Sequence, residues 1–245
     1  MTASRGSSAE SAEALAFERK RSVPPSPAAD PPALLRPTGY DLREYRGKMV
    51  RRGPSGGRRV ALTFDDGPSV NTEKVLEVLR EHRAKATFFF VGGRILGKEA
   101  VALDVVRQGS EVANHTWSHV ELKGLSEAQV EKTIRLTQEE IVGATGVQNE
   151  FVRPRGGACD DTALEVVRRM GLVMVGWDAS GHDTFKEDKT VEQIEALTVR
   201  EAGAGSIVLL HEMNPSTVRA LPAILDRLEA EGYQLVTLAD LLRPG

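Results

Sequence analysis

The stretch Val60-Ala61-Leu62-Thr63-Phe64-Asp65-Asp66-Gly67-Pro68 carries an apolar, β-forming run straight into two adjacent carboxylates and a Gly-Pro turn. Side chains alternate along an extended backbone, so Asp65 and Asp66 leave it in different directions and can hold different jobs, one on a metal and one on a proton. Further on, His115 and His119 are spaced four apart, a spacing that puts two imidazoles on one face of a helical turn. With Asp66 they make a two-histidine, one-carboxylate set that leaves metal positions open for water and substrate. Nitrogen and oxygen donors without thiolate suit Zn²⁺, and Co²⁺, Ni²⁺ or Fe²⁺ fit the same set. A cation with an open position lowers the pKa of bound water and polarises a carbonyl, so the implied reaction is hydrolysis of an acyl bond. Such a reaction needs a base for the water and an acid for the leaving amine. Asp65, next to a ligand but pointing elsewhere, is the expected base. His211, at the end of the apolar run 206–210, is the expected acid.

Holding these groups together requires strands that end where the polar residues stand. Short β-rich runs alternate with amphipathic helical patterns from residue 58 onward. Strands are expected over 60–64, 86–91, 111–114, 151–153, 172–177, 206–210 and 234–238. Helices are expected over about 71–82, 98–108, 161–170, 191–202 and 218–231, with a further one opening on a Ser126/Gln129 capping box and ending near Gly143 and Gly146. Repeated β-α units build a parallel sheet or barrel. The C-terminal strand ends carry Asp65, Asp66, His115, Arg153, Asp178 and His211, and that rim is where such folds place an active site.

The 245 residues, 40% of them hydrophobic, suffice for one large core. Residues 1–55 are rich in Ser, Ala, Pro and Arg and are expected to be a disordered leader. Within it a short helix over 12–20 and packing of 40–50 against the domain are the two places where order is expected, and residues 56–245 are expected to form the catalytic domain. A net charge of -3 with dispersed Lys and Arg gives no sign of nucleic-acid binding. Cys159 is the one cysteine, which excludes an internal disulfide and a cysteine-rich zinc site. There is no apolar run long enough for a membrane span and no recognisable export signal, so the chain as written is expected in the cytoplasm. An upstream export segment would instead place it outside the cell or in the cell wall, with the Pro-rich stretch as a linker.

Together the motifs resemble those of a known family. Thr63-Phe64-Asp65-Asp66-Gly67-Pro68, His115-Thr116-Trp117-Ser118-His119, Arg153-Pro154-Arg155-Gly156-Gly157, Asp183 and Leu209-Leu210-His211 fall in the order and spacing of the polysaccharide deacetylases, carbohydrate esterases with a NodB homology domain. The resemblance spans roughly residues 58 to 243 and is carried most specifically by the first two motifs. It implies an α/β fold, a distorted (β/α) barrel of the NodB type, and removal of acetyl groups from sugars with one divalent metal, zinc foremost. It further implies Asp66, His115 and His119 as metal ligands and Asp65 as base. Arg153 would pair with Asp65, and the Gly156 N–H would stabilise the oxyanion. His211 would act as acid, oriented by Asp183, and Leu209 would line the acetyl pocket. The expected partner is an acetylated carbohydrate such as a chitooligosaccharide, peptidoglycan or a small glycoside, with a monomer the expected state.

Two positions depart from the family pattern. Arg155 stands where proline is usual, beside Gly156 where an aromatic or Gly is usual, and adds a cation that would favour an acidic substrate. Thr184 follows Asp183 where Trp is usual, which removes an aromatic wall. Two other readings follow from these departures and from the fold: a carbohydrate-binding relative with weakened turnover, and an enzyme hydrolysing a non-sugar amide C–N bond.

Overall fold

The computed structural model describes residues 41–184 and 187–243, all within one compact unit. The leader's first 40 residues, including the expected helix over 12–20, lie outside the described residues. Residues 41–55 were expected in that leader, yet they carry a 3-10 turn at Arg43–Tyr45 and a strand β1, Met49–Val50, that pairs with β6. Leu42 and Val50 join an apolar cluster with Ala61, Phe89 and Val175, and that burial is what orders a segment whose composition reads as polar.

The strands are β2 Arg59–Gly67, β3 Thr87–Phe90, β4 Glu111–Asn114, β5 Phe151–Val152, β6 Val173–Val175, β7 Ala179–Ser180, β8 Ile207–His211 and β9 Gln234–Val236. Every ladder is parallel, in the order β1-β6-β5-β4-β3-β2-β8-β7, with β9 also on β2. The order is open between β1 and β7, so the sheet curls into a distorted barrel. Arg52 bridges the seam: it pairs through its backbone with Ser206, and its guanidinium meets Asp178 at 2.5 Å. Asp178 also accepts from Ser206 and the Ile207 N–H. This acid therefore latches the seam instead of facing the chemistry.

The helices are α1 Thr72–Glu81, α2 Gly92–Ile95, α3 Glu99–Arg107, α4 Glu127–Thr145, α5 Asp161–Arg169, α6 Val191–Glu201, α7 Pro215–Ala230 and α8 Leu238–Leu242. The Ser126/Gln129 capping box forms, and α4 runs past Gly143 to a left-handed cap at Gly146. α7 starts three residues before the expected point because Asn214 caps it and Pro215 suits its first turn. α2 and α8 are single turns with too few residues to show a helical period. No helix among the described residues is long and apolar enough to cross a membrane.

The alternation of the strands sorts the core. Even-numbered Leu62, Phe64, Phe88, Phe90, Val208 and Leu210 face the helices, while Ala61, Phe89, Ala113, Phe151, Val173, Val175 and Ile207 fill the barrel. Because the interior series is odd-numbered in each strand, it continues upward into Thr63 and Asp65, His115, Arg153, Trp177, and Leu209 and His211.

Candidate active site

Asp65 is the last interior residue of β2 and is 4% exposed. Arg153, fully buried, donates to Asp65 Oδ1 at 2.6 Å and to Thr63 Oγ1 at 2.8 Å. The remaining guanidinium donors go to the carbonyls of Val175 and Gly176, and its plane lies 4.0 Å over the Phe89 ring. Burial pulls the Arg153 pKa below its ordinary value and the Asp65 charge opposes it. Asp65 Oδ2 is left facing His115 Nε2 at 3.6 Å.

Strand alternation alone would send Asp66 to the outer face. Its φ of 75° puts it in the left-handed region, and β2 is irregular against β3 between Asp65 and Gly67. This turn of the backbone brings the carboxylate back to the imidazoles. Asp66 Oδ1 lies 2.9 Å from His119 Nε2 and 3.6 Å from His115 Nε2, and one donor atom from each of the three residues falls within 4.8 Å of the others. Arg94 in the single turn α2 donates to the Asp66 carbonyl, holding that backbone in place.

The two histidines do not sit on a helical turn. Residues 115–119 form an irregular loop in which Thr116 (φ 64°) and His119 (φ 57°) are left-handed. Side chains and amides around it fix this shape. Asn114 Oδ1 accepts from Thr116 N, Thr133 Oγ1 from Trp117 N and Thr116 Oγ1 from Val120 N, while Gly92 and Gly93 donate to the carbonyls of Thr116 and Trp117. Gly92 is needed there, since a Cβ would come 2.7 Å from the Trp117 ring.

His115 Nδ1 lies 2.7 Å from the Arg153 carbonyl, so it carries the proton and Nε2 presents a lone pair to the cluster. Asp66 Oδ1 is buried without a hydrogen bond, although His119 Nε2 is at contact distance. Burial by itself would raise the Asp66 carboxyl, but the imidazoles of His115 and His119 outweigh it and hold the group well below the usual carboxylate range. Two ring nitrogens and an orphaned carboxylate oxygen converging on one point are the donor set a divalent cation requires.

Across the β2–β8 ladder Asp65 registers with His211. His211 Nδ1 meets Asp183 Oδ1 at 2.8 Å, and Asp183, fully buried, takes His211 N at 2.7 Å and Thr217 Oγ1 at 2.6 Å on its other oxygen. Asn214 Nδ2 donates to the Asp183 carbonyl. Burial would lower the His211 pKa, but the Asp183 bond and charge, with Asp65 and Asp66 beyond, raise it to about 9. Leu209, two residues before, is 6% exposed on the same face.

Gly156 lies in a 3-10 turn at Arg155–Gly157 with φ 61°, and nothing comes within 4 Å of where its Cβ would be. The neighbouring Gly157 packs against the Trp177 ring. Arg155 is exposed, and Thr184 is exposed at the end of the Asp183 loop. Cys159 is half-buried, and burial pushes its thiol up, away from a nucleophile's range. His182, in the same loop as Asp183, pairs with Glu201 and not with the rim.

At the opposite, N-terminal end of the barrel a cavity of about 450 Å³ is lined by Lys85, Glu111, Ile141, Phe151 and Ala239. Glu111 there accepts from Thr87 Oγ1 and Ala239 N, with burial pushing it up to about 7, so it caps α8 and takes no part in the rim.

The comparisons with known proteins agree with this geometry. The family model described as polysaccharide deacetylase matches residues 52–175. The chain is 33% identical over 213 residues to a peptidoglycan-N-acetylglucosamine deacetylase of Bacillus cereus, covering 85% of this chain and 96% of that protein. It is 34% identical over 200 residues to a chitooligosaccharide deacetylase of Rhizobium leguminosarum bv. trifolii, covering 75% and 92%. Two further curated relatives, a peptidoglycan-N-acetylmuramic acid deacetylase of Bacillus subtilis and a peptidoglycan-N-acetylglucosamine deacetylase of Listeria monocytogenes, are longer, and the match spans 38% and 39% of their length. The crystal structure of the Bc1960 peptidoglycan N-acetylglucosamine deacetylase superposes with a TM-score of 0.76 at 28% identity, over 81% of this chain and 94% of that one. Barrel, rim and sequence thus converge, and the chain belongs to the polysaccharide deacetylase family.

Proposed function

We propose that the protein is a metal-dependent hydrolase that removes the acetyl group from N-acetylated amino sugars, with Zn²⁺ as the resident cation held by Asp66, His115 and His119. The single observation that carries the reading is the pairing, across one ladder, of Asp65 with His211 beside a three-donor cluster. When bound, the cation supplies Lewis acidity that polarises the acetyl carbonyl and acidifies the attacking water. Asp65 takes the water proton on Oδ2, since Oδ1 is occupied by Arg153. The Gly156 N–H, on a loop with open space above it, donates to the oxyanion. His211, charged at neutral pH and turned by Asp183 so that Nε2 faces outward, gives its proton to the departing amine. Leu209 presents an apolar wall to the acetyl methyl.

Chitooligosaccharides and peptidoglycan glycans are the substrate classes supported by the relatives' names, and exposed Arg155 favours the more acidic of them. The test is acetate release from N-acetylglucosamine oligomers after chelation and again with Zn²⁺ or Co²⁺ restored. Release that disappears with chelator and returns with metal is expected. Tight metal binding without release from any amino sugar would overturn the substrate assignment.

A further inference from the structure

The residue after His211 points away from the site. Glu212 follows the parity of Leu210 into the layer between sheet and helices, where it is fully buried. A carboxyl in such a layer is costly unless it is bonded, so its partners show what it is kept for. Thr72 Oγ1 donates to Glu212 Oε1 at 2.5 Å. The same hydroxyl accepts from Ser69 N, and Asn71 Nδ2 donates to the Glu212 carbonyl at 3.1 Å, so side chain and backbone of Glu212 both grip the loop that leads from the Asp65-Asp66 turn into α1. The grip reaches Gly67 directly: a Cβ there would fall 2.5 Å from Glu212 Oε1 and 2.5 Å from the Phe90 ring. Glu212 Oε2 is buried without a hydrogen bond. Burial pushes the carboxyl up to about 7 against the pull of Thr72 and Ser69.

Asp66 needs holding. It is a non-glycine residue at φ 75°, a conformation that persists only where its surroundings over-determine it. Arg94 holds its carbonyl, Val91 N donates to the carbonyl of Gly67, and the remaining flank of the turn is closed by Glu212.

We infer that Glu212 is a positioning residue, a clamp between the strand end that carries His211 and the turn that aims Asp66 at His115 and His119. For its activity arm the inference rests on the deacetylase reading; its metal-binding arm does not. Zn²⁺ titrations by calorimetry compare the wild-type chain with Glu212→Ala, Glu212→Gln and Thr72→Val. Glu212→Ala and Thr72→Val are expected to bind about 10-fold more weakly, the range for lost partners of metal ligands, while Glu212→Gln, which keeps the volume and the bond to Thr72, stays within about threefold. At saturating metal, kcat on N-acetylglucosamine oligomers falls in the first two variants with KM unchanged, and Gln rescues it. If Glu212→Ala does not fold, near-isosteric Thr72→Val carries the same comparison. Wild-type affinity in Thr72→Val, or a Gln variant as weak as Ala, overturns the clamp. The predicted affinities together with no acetate release from any chain leave the clamp standing and overturn the substrate reading instead.

Discussion

At the scale of single residues, the two adjacent acids separate by environment. Asp65 is locked by Arg153 and has one free oxygen, whereas Asp66 is turned by a left-handed backbone toward two imidazoles. Asp65→Asn is therefore expected to lower kcat by about 10²- to 10⁴-fold, the usual contribution of a general base, while Zn²⁺ affinity by calorimetry stays near wild type. Asp66→Ala is expected to lose both together, and retention of metal in that variant would remove Asp66 from the ligand set. His211 gives a pH signature in the metal-free chain. Its folded pKa, about 9, stands above the ordinary 6.5, so the stability it adds with Asp183 is complete below pH 6.5 and lost as pH rises through about 9. Asp183→Asn should flatten that fall in thermal melts between pH 6 and 10, removing on the order of 2–3 kcal/mol at the acid end. Asp65, Asp66 and His211 were legible because each stands at a strand end in a sequence that alternates apolar runs with turns, whereas Asp183, in the loop after β7, was marked only by the family resemblance. Thr217, Asn214 and Arg94, which hold Asp183 and Asp66, were not legible, because they act from the start of α7 and from the single turn α2 through single hydrogen bonds that leave no periodic trace.

At the scale of elements, the central strands were readable and the edges were not. β2 is buried along both faces and reads as a continuous apolar run, and even two-residue β5, inside the sheet, falls within the run expected over 151–153, but β1 and β7, at the two ends of the strand order, are two residues long and show no period. The histidine spacing pointed to a helix, while the residues form a loop whose two left-handed positions depend on tertiary hydrogen bonds from Asn114, Thr133 and α2. Arg153 shows how strongly one element depends on another. It leaves β5, crosses the barrel interior and is satisfied by β2 and β6 at once. Arg153→Met, by leaving Asp65 buried without its partner, is expected to cost about 3–5 kcal/mol in urea denaturation, and adding Asp65→Asn should recover part of that loss. A double variant no more stable than Arg153→Met would place the cost in packing over Phe89 instead.

At the scale of the whole molecule, the barrel divides labour between its ends. The N-terminal end is closed by Leu42, Tyr45, Leu238 and Leu242 in one apolar cluster, and the C-terminal end carries the polar interior residues. That division follows from the odd-numbered series in each strand, and the fold class was legible in the alternation of β-rich runs with helical patterns, short β5, β6 and β9 included. The seam at Arg52 was not, because it joins segments far apart in the chain by an antiparallel bridge and an ion pair. The left-handed residues Asp66, Thr116 and His119 carry one more consequence. Two of them are proposed ligands, so an ion in the cluster would bind only the chain in which those costly turns are made, and would slow their transient opening. Amide hydrogen–deuterium exchange followed by mass spectrometry should accordingly show peptides covering 65–69 and 115–120 taking up label faster after chelation, with 60–64 and 207–210 unchanged. Equal uptake with and without metal would mean that the rim is fully preformed by its hydrogen bonds and owes the ion nothing.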